Sequence, residues 1–190
     1  MRNFDQRQRR EVLGKCVDIL AVPSLRRVER FRVGAVKVLV ALLPSSLQTI
    51  HQWLHRRGRD DVYEVHFTLF CFLDRVVEVS ESKALRRRVL SELRWYLGSI
   101  KSEAAQAAWM AGDLLGDHWN VDEALPVLVW AANHAQHDAG RRGAVHGIAH
   151  MMNRVSGAKH RALTELLDKV ARSDPSGRMR HYANKLCPVR

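Results

Sequence analysis

Apolar residues recur along the chain at three- and four-residue spacing with polar residues between them, a period that predicts helices. Ten are expected, at residues 7–21, 24–43, 46–57, 61–79, 83–99, 103–116, 122–136, 139–153, 158–172 and 176–187. The punctuation agrees. Ser24, Ser45, Asp60, Asp138 and Asp174 stand where N-caps belong, since a short polar side chain there accepts a bond from an orphan backbone N–H. Gly58, Gly98 and Gly116 fall near expected helix ends, and Pro175 at a first-turn position, where its missing N–H costs nothing. No segment alternates cleanly enough for a strand.

The apolar pattern also repeats over a longer distance. An i, i+3, i+4, i+7 quartet occurs in every second helix: Val36, Leu39, Val40, Leu43; Leu69, Phe72, Leu73, Val76; Ala108, Ala111, Gly112, Leu115; Val145, Ile148, Ala149, Met152; and Met179, Tyr182, Ala183, Leu186. First members lie 33, 39, 37 and 34 residues apart, within the range of helical solenoids. A lone helix pair cannot bury its own stripe, so neighbouring pairs must stack to complete a core.

Two stretches extend this pattern. Asp138-Ala-Gly-Arg141-Arg142-Gly-Ala144-Val145 opens a helix with an acidic residue, then arginines, then small and apolar residues, and Asp174-Pro-Ser-Gly-Arg178-Met-Arg180 is similar. The chain thereby resembles the HEAT-repeat family, whose second helices often open this way. Ala104 to Gly116 has that family's alanine-rich helix and glycine end. The resemblance is carried by roughly the last 90 residues; the first two repeats match by period only. It implies an all-α fold, a right-handed α-solenoid of about five antiparallel helix pairs forming one domain over 1–190. The alternative is an irregular helical bundle.

Composition narrows the function classes. No apolar run approaches the length needed to span a bilayer, and the basic N-terminus lacks the apolar segment of a secretory signal. Cys16, Cys71 and Cys187 are far apart and form no CxxC pair, which fits reduced thiols and a cytoplasmic protein. The net charge of +11 is uneven: +8 over residues 1–60, −4 over 61–137 and +7 over 138–190. Basic ends permit contact with an anionic partner. There is no Gly-rich phosphate loop, HExxH or G-x-S-x-G, so no catalytic residue and no cofactor is assigned.

In HEAT-like stacks the second helices line a concave surface, and the resemblance implies which residues it would display. Lys37, Phe70, Trp109, His146 and Arg180 form one row, and Ala41, Asp74, Asp113, His150 and Asn184 the row one turn later. Phe67 joins from one turn earlier. The expected groove therefore holds Phe67, Phe70, Asp74, Trp109, Asp113, His146, His150 and Arg180, with the aromatics as anchors for another protein or peptide. The bland reading is that these rings pad contacts between adjacent second helices. His146 and His150, four apart, share a helix face and could chelate an ion with Asp113 as third ligand. HEAT-like metal hydroxylases, by contrast, use His-Glu pairs, and no such dipeptide occurs here. Trp109 and Asp113 are also reminiscent of HEAT-like DNA glycosylases. Arg26, Arg27, Arg30, Arg32, Arg56, Arg57 and Arg59 could form a phosphate-contact patch for nucleic acid, although such runs are usually solvated faces.

The leading expectation is a non-catalytic protein-binding scaffold. Sequence-indifferent nucleic-acid binding is the main alternative.

Overall fold

A computed structural model describes residues 5–21, 24, 28–42, 46, 73, 82–99 and 105–187. Every regular element among them is helical: α1 Gln6–Ala21, α2 Glu29–Ala41, α3 Lys83–Ser99, α4 Ala105–Asp113, α5 Val121–His134, α6 Asp138–Met152, α7 Gly157–Ser173 and α8 Gly177–Leu186. A π-helical turn, Leu114–His118, continues α4. The chain is therefore all-α. None of these helices is long and apolar enough to cross a membrane. The chain divides into two compact units, Met1–Val89 and Leu90–Arg190.

In the first unit α1 and α2 pack together. Leu13 and Cys16 of α1 and Ala35, Leu39 and Leu42 at the end of α2 are buried, so the α2 stripe runs one residue off the expected Val36 and Val40, which are half-buried. A reciprocal capping box starts α1: the Asp5 carboxylate accepts from the Gln8 N–H at 2.8 Å, and the Gln8 side chain accepts from the Asp5 N–H at 3.0 Å.

In the second unit α4 packs along α6, α5 packs on α6, and α7 pairs with α8, which also touches α6. The apolar spacing explains which faces are inside. Ala108, Ala111 and Leu115 are buried on α4 and its π turn, Leu163, Leu167 and Val170 on α7, and Met179 and Ala183 on α8. The α4–α6 crossing is close because it lacks side chains. A Cβ at Gly112 would strike the Gly143 carbonyl, one at Gly143 the Ala108 carbonyl, and one at Gly147 the Gly112 carbonyl. Small residues at four-residue spacing on both helices thus let the backbones touch.

Side-chain bonds across this unit share a period. Asp122–Lys159, Asn133–Lys169, Asp138–Ser176 and Arg141–Asp174 span 37, 36, 38 and 33 residues. The strongest is Arg141, which holds both Asp174 carboxylate oxygens at 2.7 and 3.1 Å in a buried fork and donates to the Ala135 and Gln136 carbonyls. Arg180 repeats the second part, donating to the Asp174 and Pro175 carbonyls six and five residues behind it. Arg141 and Arg180 are thus structural equivalents 39 residues apart, matching the helix starts at Asp138 and Gly177, whereas the apolar quartets align Val145 with Met179, 34 apart.

Some local expectations need correction. Asp174 is the C-cap of α7, and Ser176 is the N-cap of α8, its hydroxyl accepting from the Met179 N–H. Asp138 is the first residue of α6, not its cap. Pro175 consequently lies between two helices rather than in a first turn. Gly116 does not end its helix; the chain winds on to His118, and Arg154 gathers the Gly116 and Trp119 carbonyls at 2.6 and 2.7 Å. Asn120 then caps α5 by accepting from the Asp122 N–H.

Candidate functional site

The α4–α6 crossing brings together side chains that are far apart in sequence. Asp113, the last residue of α4, and Asp117, in the π turn, both point to α6, where His146 and His150 lie one turn apart. His146 Nε2 is 2.5 Å from Asp113 Oδ1, and His150 Nε2 is 3.9 Å from the same oxygen. His150 Nδ1 lies 2.7 Å from Asp117 Oδ1, and His146 Nδ1 lies 2.8 Å from the Tyr182 hydroxyl of α8. Both imidazoles are therefore tied at Nδ1 and present Nε2 to one carboxylate oxygen.

Aromatic packing fixes the arrangement from the side. The Trp109 ring of α4 stacks on His146 with centroids 3.6 Å apart and lies 5.6 Å from the Tyr182 ring. His146 meets His150 edge-on at 4.5 Å. The Arg142 guanidinium stands 5.4 Å from the Trp109 centroid, within cation–π range. With the His146 and Tyr182 centroids 6.5 Å apart, the three rings form a cluster cornered on Trp109, one from each of α4, α6 and α8.

Exposure is graded across the site. The His146 side chain is 14% exposed, while those of Asp113, Asp117 and His150 are 40, 42 and 37% exposed. The cluster is most accessible at the carboxylate end, and the rings beside it are part-buried. Burial pushes the Tyr182 hydroxyl up to about 12, with Asp113 adding to the rise and Arg142 opposing it. The phenol thus stays protonated at neutral pH and keeps its hydrogen bond to His146.

Among the expected groove residues, Trp109, Asp113, His146 and His150 meet. Arg180 instead turns its guanidinium back onto the Asp174 and Pro175 carbonyls. Phe67, Phe70 and Asp74 lie outside the described residues, as do Arg26, Arg27, Arg56, Arg57 and Arg59. Of the expected phosphate contacts, Arg30 is exposed with its guanidinium 5.2 Å from the Phe31 ring, and Arg32 lies within α2 with its side chain outside the description. Apolar spacing marks neither Asp117 nor Tyr182: Asp117 stands beyond the expected end of its helix, and Tyr182 falls in an apolar quartet. Asp117 lies 33 residues before His150, and Tyr182 lies 36 after His146, so a search one period away would have found both. No family model, no curated protein and no solved structure matches the chain.

Proposed function

We propose that this chain is a HEAT-like α-solenoid scaffold, its repeats running through residues 1–190, that binds a protein or peptide segment on the surface of its second helices. The observation that carries the reading is the ring cluster of Trp109, His146 and Tyr182. Each comes from a different second helix, one repeat apart, and each is only part-buried. Rings held in register by a stack of helices give a partner a rigid, amphipathic anchor, since little side-chain entropy remains to be lost on binding. Asp113 and Asp117 beside the cluster add acceptors for a polar or cationic partner group.

The period of the cross-helix bonds supports the solenoid part of the proposal. Helices one repeat apart are neighbours within the second unit, as stacking requires. The bonds of Arg141 and Arg180 show the same local device used twice.

The test is capture from native lysate by wild type and by Trp109→Ala, with Arg161→Ala, at an exposed position on α7, as control. Proteins retained by wild type and the control but lost by Trp109→Ala, with far-UV circular dichroism unchanged, are the expected result. Equal capture by all three chains would contradict it. Retention of generic duplex DNA at low salt, falling steeply as salt rises, would move the reading to backbone binding of nucleic acid.

A further inference from the structure

The geometry points to a divalent transition-metal site at Asp113, His146 and His150, with zinc the natural occupant. This inference stands on ligand chemistry and is independent of the scaffold reading. Three donor atoms, Asp113 Oδ1 and the two imidazole Nε2 atoms, lie within 4.8 Å of one another. No other trio of His, Cys, Asp or Glu donors converges in this way among the described residues. Two imidazoles and one carboxylate, with a fourth position open, form the ligand set of an accessible zinc site.

The second observation lies behind the ligands. A metal-binding histidine generally uses its other ring nitrogen to bond a carboxylate, carbonyl or similar group, which fixes ring orientation and tautomer. Both histidines do so here: His150 through Asp117 at 2.7 Å and His146 through Tyr182 at 2.8 Å. With Nδ1 of His150 engaged by Asp117, its Nε2 is turned toward the Asp113 oxygen 3.9 Å away, beyond direct hydrogen-bond reach and across a gap that a bound ion would bridge. The Tyr182 hydroxyl can donate or accept, so His146 can move its proton from Nε2 to Nδ1 as Nε2 takes the ion.

The adjustment required is small. Zinc–ligand distances of about 2.0–2.2 Å place tetrahedral donors about 3.3 Å apart. Asp113 Oδ1 must withdraw from His146, now 2.5 Å away, and approach His150, now 3.9 Å away. The oxygen must move about 0.8 Å away from His146 Nε2 and about 0.6 Å toward His150 Nε2, and the Asp113 side chain is exposed enough to shift. The Trp109 stack holds His146 still while this happens. The fourth ligand, a water or a donor from a bound partner, comes from the open carboxylate side.

The experiment uses the full chain without an affinity tag, stripped with chelator. Zinc is titrated calorimetrically, and cobalt(II) is added separately for its visible spectrum. Expected are one ion per chain, the ligand-field bands of a four-coordinate cobalt ion, and a rise in melting temperature with zinc. His150→Ala abolishes all three while helicity is kept. If that variant unfolds, the near-isosteric Asp113→Asn repeats the comparison with the same expected loss. Asp117→Asn and Tyr182→Phe keep the stoichiometry but weaken zinc about 10- to 100-fold, the usual effect of removing an outer-shell partner. Failure of wild type to bind zinc, or equal binding by wild type and His150→Ala, overturns the site. The cluster would then be a hydrogen-bonded network that holds no ion. Neither outcome bears on partner capture through Trp109, so the two readings fail separately.

Discussion

Replacing Gly112 with alanine should destabilise the protein, although alanine is the better helix former. A Cβ at Gly112 would run into the Gly143 carbonyl and come within 3.2 Å of the Gly143 Cα. Those are backbone atoms of a facing helix, which cannot rotate aside as a side chain does. α4 and α6 must therefore separate, giving up contacts along the whole crossing. Overpacking of this kind costs about 1–3 kcal/mol, and more where backbone must shift. The helix propensity of alanine returns about 1 kcal/mol. Because backbone must shift here, the upper end of about 3 kcal/mol applies, leaving a net loss of about 2 kcal/mol, roughly a 30-fold fall in the folding equilibrium. The control is Gly34→Ala in the middle of α2, where an added Cβ meets nothing within 4 Å. There the propensity term acts alone, and a gain of about 0.5–1 kcal/mol is expected. Urea unfolding followed by far-UV circular dichroism gives both values, and hydrogen exchange shows whether α4 and α6 amides lose protection. A neutral or stabilising Gly112→Ala would refute the close crossing, because α4 and α6 would then have room that the structure denies them.

Other outcomes follow from the same contacts. Arg141→Leu leaves the buried Asp174 carboxylate without its fork and should cost about 3–5 kcal/mol in urea unfolding. The double variant Arg141→Leu/Asp174→Leu should recover part of that loss, because it removes the stranded charge. Stability should also fall as pH climbs through the alkaline range. Tyr182 is held up to about 12 in the folded chain against an ordinary 10, and buried Tyr96 is raised well above 10. The stabilising contribution of each is complete below pH 10, where the unfolded phenol is neutral too, and is lost as pH rises toward the folded value. Tyr182→Phe should therefore show a shallower alkaline decline in melting temperature than wild type.

Much of the second unit was legible in the sequence because its helices obey local rules. Apolar spacing placed α5, α6, α7 and α8 to within two residues at either end, since an amphipathic stripe has one way to be buried. Asp174 and Arg141 stand out as an acidic–basic theme, though not as partners: spacing alone does not say that Arg141 reaches 33 residues forward to Asp174. The candidate site was half legible. His146 and His150 share a face by arithmetic, and Asp113 was expected one repeat earlier. Two facts were hidden. The π turn carries helical winding past Gly116, a residue that usually signals a stop, and so delivers Asp117 to His150. The Arg141 and Arg180 bonds align α6 with α8 at 39 residues rather than the 34 of the apolar quartets; Arg180 turns back onto the Asp174 and Pro175 carbonyls, and Tyr182, 36 residues on, meets His146. Apolar patterns tolerate a slip of about one helical turn, because the new register still buries oily side chains; hydrogen-bonded arginines do not.

The packing of α4 on α6 and of α6 on α8 underlies the ring cluster, the proposed metal ligands and the glycine contacts alike. Its most direct test is nuclear Overhauser spectroscopy on the labelled chain, with Trp109, His146 and Tyr182 side chains assigned. Stacking with centroids 3.6 Å apart requires strong cross-peaks between the Trp109 indole and His146 ring protons, and 5.6 Å to Tyr182 requires weaker ones. Cross-peaks in both pairs are the expected result. Assigned rings with no peak between Trp109 and His146 would contradict the arrangement.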